Sequence, residues 1–308
     1  MDLRQLAALV AIADHGSFSA AAKALFTVQS NVSAHIARLE QEVGATLVDR
    51  SRGRLTEEGE LVAARARAIQ QELDAIYADL ASRGKEVAGE ARIGVISTTA
   101  RWLVPQVLTA LRAAHPLVRA IVVESPTTTL LPQLAAGQLD AAVVNLPIDE
   151  PEVVVEPIFE EEMLLLVTST HPLAERSEVA LAELAEHRLL LPAPGTSLRQ
   201  EIDAEASREG IELAPLAEID GVRLLTSMAL DGFGATIVPA TALPSWLTGN
   251  WVRVPVRGLA PRQVGLARRR RAVPSAPARA IADVLRDVVR TKGPLQRGVH
   301  VQLPAESS

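Results

Sequence analysis

The stretch that decides the fold reads GSFSAAAKAL (16–25), breaks at Phe26-Thr27-Val28, and resumes as NVSAHIARLEQEVG (31–44) and TLVDRSRGRLTEEG (46–59). The small run Ala20-Ala21-Ala22 lets one helix pack closely against a neighbour. The break leaves room only for a tight turn before a longer amphipathic helix. That is helix-turn-helix organisation, in which the second helix enters the DNA major groove. In it Val32, Ile36, Leu39 and Val43 recur at i, i+4, i+7 and i+11, one buried stripe. The opposite face carries Ser30, Ser33, Ala34, Ala37, Arg38 and Gln41, small and polar enough for a groove floor to approach. A preceding helix is expected over 3–14, with Leu3, Leu6, Val10 and Ala13 inward. Ser17 or Ser19 is expected to cap the helix after it. The segment Arg50-Ser51-Arg52-Gly53-Arg54 suits a wing touching the DNA backbone or minor groove. The plainer alternative is a three-helix core whose polar face is merely solvated.

A second signal follows. Val62, Ala66, Ile69, Leu73, Ile76 and Leu80 are spaced 4, 3, 4, 3, 4, an a/d heptad seam. After a DNA-binding module such a seam suits pairing of two copies, which would set half-site spacing on a pseudo-palindromic operator. Packing of this helix on its own domain is the alternative. Gly84 and Gly89 bracket a presumed hinge.

These motifs carry a resemblance. Residues 1–83 resemble the DNA-binding domain and linker helix of LysR-type transcriptional regulators. The matching positions are Gly16, Ser17, Phe18, Ser19, Ala21 and Ala22; then Val32, Ser33, Ile36, Leu39, Glu40 and Gly44; then Leu47, Arg50, Leu55, Thr56 and Gly59. Two places depart: Val28-Gln29-Ser30-Asn31 stands where the family often has Ser-Gln-Pro-Ala, and Val48 replaces the usual wing Phe. The resemblance and the exposed face together imply DNA contacts from Lys23, Gln29, Ser30, Asn31, Ser33, Ala34, Arg38, Arg50, Arg52 and Arg54.

From Ala91 the pattern changes to strands alternating with helices. Strands are expected at 91–96, 120–124, 140–144, 163–167, 189–191, 235–238 and 263–267, with helices at 102–114, 130–136, 197–209, 222–230 and 278–290. Near-continuous apolar strands separated by helices predict parallel sheets covered on both faces. Two such lobes joined by two crossings leave a crevice where small ligands bind. This part is similar to the LysR-type effector domain, itself built like periplasmic binding proteins of type II. The implied fold is α/β: a winged helix-turn-helix (1–58), a linker and dimerisation helix (59–83), a hinge (84–90) and an effector domain (91–292). Lobe one would take 91–160 and 266–292, lobe two 161–265, with 293–308 a disordered tail.

Hydroxyl clusters precede three expected helices: Ser97-Thr98-Thr99, Ser125 with Thr127-Thr128-Thr129, and Thr196-Ser197. Helix N-termini offer unpaired N–H groups and partial positive charge, so hydroxyls there suit a small anion such as a carboxylate. For any one cluster a helix cap alone is the simpler reading, and it is three clusters at strand ends facing one crevice that favour a ligand. By resemblance Ser97, Thr98, Thr99, Thr127, Thr128, Thr196 and Ser197 fall on effector-contacting loops, and Asn145 ends a neighbouring strand. Arg101, Arg199 and Arg223 are possible counter-charges, with a solvated role as the default. The run Arg268–Arg271 reads as a solvated face.

The bulk numbers narrow the classes. The 308 residues, 48% hydrophobic, suffice for two folded domains. The net charge of -6 does not suit a wholly basic nucleic-acid coat. Residues 1–60 hold six Lys/Arg against eight Asp/Glu, so positive charge must be segregated onto one side. With no cysteine, disulfides, thiolate metal sites and thiol redox sensing are excluded. The six histidines lack metal-ligand spacing. No cofactor is expected, and no membrane-spanning run or signal-peptide pattern is present, so a cytoplasmic protein is expected. The chain lacks Gly-x-Ser-x-Gly, P-loop and dinucleotide motifs. The expected function is a ligand-responsive transcription factor acting as a homodimer or homotetramer. An enzyme or a small-molecule carrier on the same two-lobe fold is the alternative.

Overall fold

The computed structural model describes residues 1–50, 52–81 and 86–303. Three helices open the chain: α1 (Leu3–His15), α2 (Phe18–Ala24) and α3 (Gln29–Val43). Asp2 starts α1 by accepting from the N–H groups of Arg4 and Gln5, while Gln5 Oε1 accepts from Asp2 N, a reciprocal cap. Ser17 caps α2 through Ala20 N. The α3 stripe is shorter than expected. Val32, Ile36 and Leu39 are buried, but Val43 is exposed because Gly44, at φ 72°, ends the helix there. On α1 Leu6 and Val10 are buried as expected and Leu9 and Ile12 join them, but Leu3 lies in solvent at the helix start.

A two-stranded wing, β1 (Val48–Asp49) with β2 (Arg54–Leu55), leads into α4 (Glu57–Ala81). Gly59 lies so close to the wing's base that a Cβ there would fall 2.0 Å from Leu47 O. The expected hinge is partly strand: Ala88–Glu90 already belong to β3 (Ala88–Val95), and residues 84–85, with 82–83 of the linker, lie outside the described residues.

Beyond the linker are two lobes. Lobe one contains β3, α5 (Ser97–Ala114), β4 (Leu117–Glu124), α6 (Thr127–Ala135), β5 (Ala141–Asn145) and β6 (Val153–Glu161). Lobe two contains β7 (Met163–Thr168), β8 (Val179–Ala180), α7 (Leu181–Leu184), β9 (Arg188–Pro192) and α8 (Ser197–Arg208). It continues with β10 (Ala214–Ile219), α9 (Val222–Leu230), β11 (Ala235–Pro239) and β12 (Trp251–Arg257). The chain returns through β13 (Arg262–Arg269) and α10 (Ala276–Lys292) to finish lobe one with β14 (Val299–Val301). The strand orders are β14-β6-β13-β5-β3-β4 and β10-β9-β11-β7-β12-β8.

The sheets are mixed, not parallel. β13 runs antiparallel to β5 and β6, and β7 antiparallel to β11 and β12. Strands β6, β10 and β12 are absent from the sequence reading, and each contains a proline: Pro157, Pro215 and Pro255. Proline reads as a strand breaker because it donates no ladder bond. The fold accommodates two of them at irregularities, where β13 skips Ile158 and where β10 shifts between Pro215 and Ala217. Because β13 starts at Arg262, residues 262–265 belong to lobe one.

The expected disordered tail is also corrected. Residues 293–295 form a 3-10 turn, and β14 pairs with β6; residues 304–308 lie outside the described residues. Gln296 explains the order. It is buried, donates from Nε2 to the carbonyls of Ala240 and Leu243, and accepts at Oε1 from Ser245 N and Oγ. Gln296→Ala would remove all four bonds and leave the Leu243 carbonyl, which accepts from Gln296 in a buried setting, without that donor; a buried group left without a partner costs roughly 1–3 kcal/mol. A melting temperature several degrees below wild type is expected in a thermal scan of the full chain. An unchanged value would mean the tail adds no stability.

Candidate functional site

The candidate DNA interface is built from three pieces: the α2 helix, the α3 helix and the wing. On α3 the residues Gln29, Ser30, Asn31, Ala34 and Arg38 are exposed and Ser33 is half-buried. Lys23 on α2 and Arg52 and Arg54 on the wing are also exposed. Glu40 fixes the wing against α3: its Oε1 accepts from Leu47 N at 2.8 Å and Val48 N at 3.2 Å. Arg50 lies 3.5 Å from Glu40 and over the Phe18 ring at 5.8 Å, so it braces wing to helices while half of it stays in solvent. Four positions that carried the resemblance, Phe18, Glu40, Arg50 and Gly59, thus hold the module together.

The linker helix divides its expected seam. Ala66 is fully buried in the DNA-binding core, and Val62, half-buried, packs against that core. Arg67, only 11% exposed, pairs with Asp14 of α1 at 2.6 Å. Further along, Leu73 is half-buried, while Ile69, Ile76 (55%) and Leu80 (56%) are exposed. Leu61 and Tyr77, which the heptad reading left out, are exposed too.

The hydroxyl clusters do not converge on one site. Thr127, Thr128, Asn145 and Ser197 line an open cleft of about 740 Å³ between the lobes, with Gln200, Glu201 and Arg262. Ser97 and Thr98 instead face a gap of about 10 Å³ with Arg101, Arg223 and Thr226. That volume is at the limit for one water. Thr99 is buried, its Oγ1 3.4 Å from that of Thr241. The capping alternative holds for Thr196, which caps α8 by accepting from Arg199 N. It fails for α5 and α6, whose N-caps are Ile96 and Pro126. Thr127 Oγ1 accepts from Asn145 N at 3.0 Å.

Of the three candidate counter-charges, Arg101 borders the closed gap and not the open cleft, and the other two are engaged elsewhere. Arg199 bonds Asp203, Glu218 and the Pro192 carbonyl, and Arg223 pairs with Glu124 across the lobes. The cation the sequence reading missed is Arg262, on the second crossing between the lobes. Its Nε lies 2.9 Å from Glu201 and its Nη1 3.8 Å from Glu161, but neither is aligned for a hydrogen bond. Glu161 ends the first crossing and is wholly buried, its Oε2 accepting from Thr241 N and Oγ1. Burial pushes the Glu161 carboxyl up, against the pull of Arg262 and the Thr241 bonds; burial also raises Glu201. Asn145 Oδ1 is buried without a partner. No sequence motif marks Arg262, since only the pairing of β13 with β6 sets it opposite Glu161.

Comparison with known proteins identifies this architecture. Residues 3–60 match the bacterial regulatory helix-turn-helix protein family of lysR type, and residues 84–290 match the LysR substrate binding domain. The chain belongs to the LysR family of transcriptional regulators. It is 33% identical over 296 residues to a probable hydrogen peroxide-inducible genes activator of Mycobacterium leprae, covering 93% of this chain and 94% of that protein. It is 32% identical over 247 residues to the DNA-binding transcriptional dual regulator OxyR of Escherichia coli, covering 79% and 81%. A cysteine-to-aspartate variant of full-length OxyR from Pseudomonas aeruginosa superposes with a TM-score of 0.78 at 26% identity over 99% of each chain. The protein is a DNA-binding regulator, and the enzyme alternative is set aside. No helix among the described residues is long and apolar enough to cross a membrane.

Arg38 stands exposed on the recognition helix. Arg38→Ala is expected to weaken binding across all DNA sequences and to lower the salt slope by about one phosphate contact. Titrations at several salt concentrations check this; identical affinity and slope would remove Arg38 from the interface.

Proposed function

We propose that the protein is a ligand-responsive regulator working in the cytoplasm, which binds a pseudo-palindromic operator as a homodimer or homotetramer. Its effector is a small organic anion that occupies the interlobe cleft and alters the DNA-bound oligomer. The observation that carries this reading is a pair of incompletely bonded buried groups on the cleft: the Arg262 guanidinium and Asn145 Oδ1. Buried polar groups left without partners are costly, so a cleft lined by them is suited to a polar guest. A carboxylate would meet the Arg262 N–H groups, and a hydroxyl or amine on the same molecule would give Asn145 its donor. Thr128 and Ser197 add orientable hydroxyls at the rim. The Glu201 carboxylate beside Arg262 would have to yield to the anion, which couples binding to a movement of α8.

The Mycobacterium leprae relative is a probable hydrogen peroxide-inducible genes activator, and the superposed OxyR is a cysteine variant. This chain has no cysteine, so thiol oxidation supplies it no signal. The reading therefore gives the signal to a bound molecule. The exposed apolar residues Ile69, Ile76 and Leu80 support pairing through α4.

A thermal-shift screen of organic acids on the full chain would find the effector, and calorimetry would measure it. Thr128→Ala is expected to weaken binding at least tenfold, since a hydrogen bond to a charged group contributes about 1.5–3 kcal/mol, and Asn145→Ala about two- to tenfold, since a neutral one contributes about 0.5–1.5 kcal/mol. Ser97→Ala, on the closed side of the crossings, should leave affinity unchanged. Operator binding without ligand should persist in all three variants. Equal affinity in wild type, Thr128→Ala and Asn145→Ala would place the effector elsewhere.

A further inference from the structure

The interlobe cleft carries more acid than base. Asp149 of lobe one and Glu201 and Glu205 of α8 line it, against Arg208 and Arg262. Arg208 is taken by Glu205, which it pairs with at 2.6 Å. Arg262 stands between Glu201 on the cleft wall and Glu161 behind it. Among the described residues no other cation pairs with either carboxylate. Two carboxylates therefore share one guanidinium.

Four polar atoms of this cluster are buried without a hydrogen bond: Arg262 Nε and Nη1, Glu161 Oε1 and Glu201 Oε2. The nitrogens donate, and the oxygens of ionised carboxylates can only accept. An incoming carboxylate also only accepts. It would serve the guanidinium and leave both glutamate oxygens as they were. It would also set a third negative charge beside one positive, which a largely buried cluster disfavours. A proton on one glutamate answers both needs, since a protonated carboxyl is neutral and has an O–H to donate.

Glu201 is the place for that proton. Its side chain is 40% exposed on the cleft wall, within reach of solvent. Glu161 is wholly buried, and its Oε2 accepts from Thr241 N and Oγ1, bonds that favour its charged form. Burial raises both carboxyls, and the Thr241 bonds oppose it at Glu161 alone.

We propose that the effector carboxylate binds together with one proton, which Glu201 takes up from solvent. Protonated Glu201 lets go of Arg262 and donates its O–H to one effector oxygen, while Arg262 donates to the other. The net charge of the cluster is then the same before and after binding. This proton dependence rests on the cleft's being an anion site, and it makes Glu201 the residue that selects for a carboxylate. The effector's negative charge holds the Glu201 carboxyl higher in the complex than in the free protein. Between those two values binding takes up a proton, and affinity falls as pH rises. Below the free-protein value Glu201 is already protonated and affinity is level.

Acetate is the probe, since it carries a carboxylate and one methyl. The full chain is titrated with it by calorimetry across about pH 6 to 8 in buffers of different ionisation heat, which counts the protons exchanged. For wild type the acetate Kd should rise by up to about tenfold per pH unit, with close to one proton taken up per acetate where the slope is steepest. Glu201→Gln should bind acetate without slope or proton uptake, because its amide donates with no proton added. At the top of that pH range it should bind more tightly than wild type. A merely structural Glu201 would change affinity and leave the slope in place. Acetate binding to wild type without proton uptake would overturn the inference and leave the anion reading standing. A slope that survives in Glu201→Gln would overturn it as well. Binding of methylammonium in place of acetate, or no acetate binding at any pH, would overturn the anion reading and this inference with it. The wild-type proton count decides the matter even where the variant folds poorly.

Discussion

The burial of Ala63 and Ala66 of α4 against α1 governs what the rest of the chain can do. With alanines at the contact the two helices approach closely, and the Arg67–Asp14 pair adds a polar tie beside it. The linker helix is therefore a rigid extension of the DNA-reading module. Its far end reaches lobe one. Asp79 Oδ1 accepts from Ala276 N at 3.0 Å and pairs with Arg279 at 3.2 Å, so a linker carboxylate sits at the N-terminus of α10. A negative charge is favourable there because the first-turn N–H groups are unpaired and carry partial positive charge. Arg65 of the same helix pairs with Glu152 of lobe one at 3.8 Å. One helix thus carries contacts to the DNA-binding module and to the two-lobed domain, and still presents Ile76 and Leu80 to solvent.

The two-lobed domain has its own constraint at the crossings. Glu161 and Arg262 are opposite residues of β6 and β13, and both are almost wholly buried. A buried pair is costly to desolvate, and such pairs are better attested as devices for register than as sources of stability. Here the pair sets the two crossing strands opposite each other and leaves the guanidinium on the cleft side. In the proposed reading, an anion that draws Arg262 from Glu201 acts where the two lobes are joined.

Much of this was legible in the sequence, and the exceptions have physical causes. The helix-turn-helix could be read because its spacing and glycines answer to local geometry: Gly44 in a left-handed conformation, Gly59 under Leu47. The α10 stripe of Ile281, Val284, Leu285 and Val288 is buried as its period requires. Strands β6, β10 and β12 were hidden by their prolines, whose accommodation depends on neighbours distant in sequence. The ordered tail was hidden because Gln296 is a polar residue whose partners, Ala240, Leu243 and Ser245, lie about fifty residues away. For the candidate site, strand-end hydroxyls pointed to the crevice. Periodicity could not tell that Thr128 and Ser97 fall on different sides of the crossings, nor that Arg262 stands between Glu161 and Glu201. The heptad seam splits between two environments for a similar reason. Spacing marks an apolar stripe without saying which partner covers it, and Val62 and Ala66 are covered by their own domain.

The central claim is that the exposed half of α4 joins two copies into a reader of paired half-sites. Ile76→Glu tests it most directly, because the side chain is exposed in one chain and would be buried in the pair, where an unpaired charge is costly. Sedimentation of wild type and variant, alone and on duplex DNA carrying one or two half-sites, gives the answer. The account predicts a smaller assembly for the variant and loss of the cooperative gain from the second half-site, with the melting temperature of the DNA-binding domain unchanged. Wild-type mass and wild-type cooperativity in the variant would contradict it.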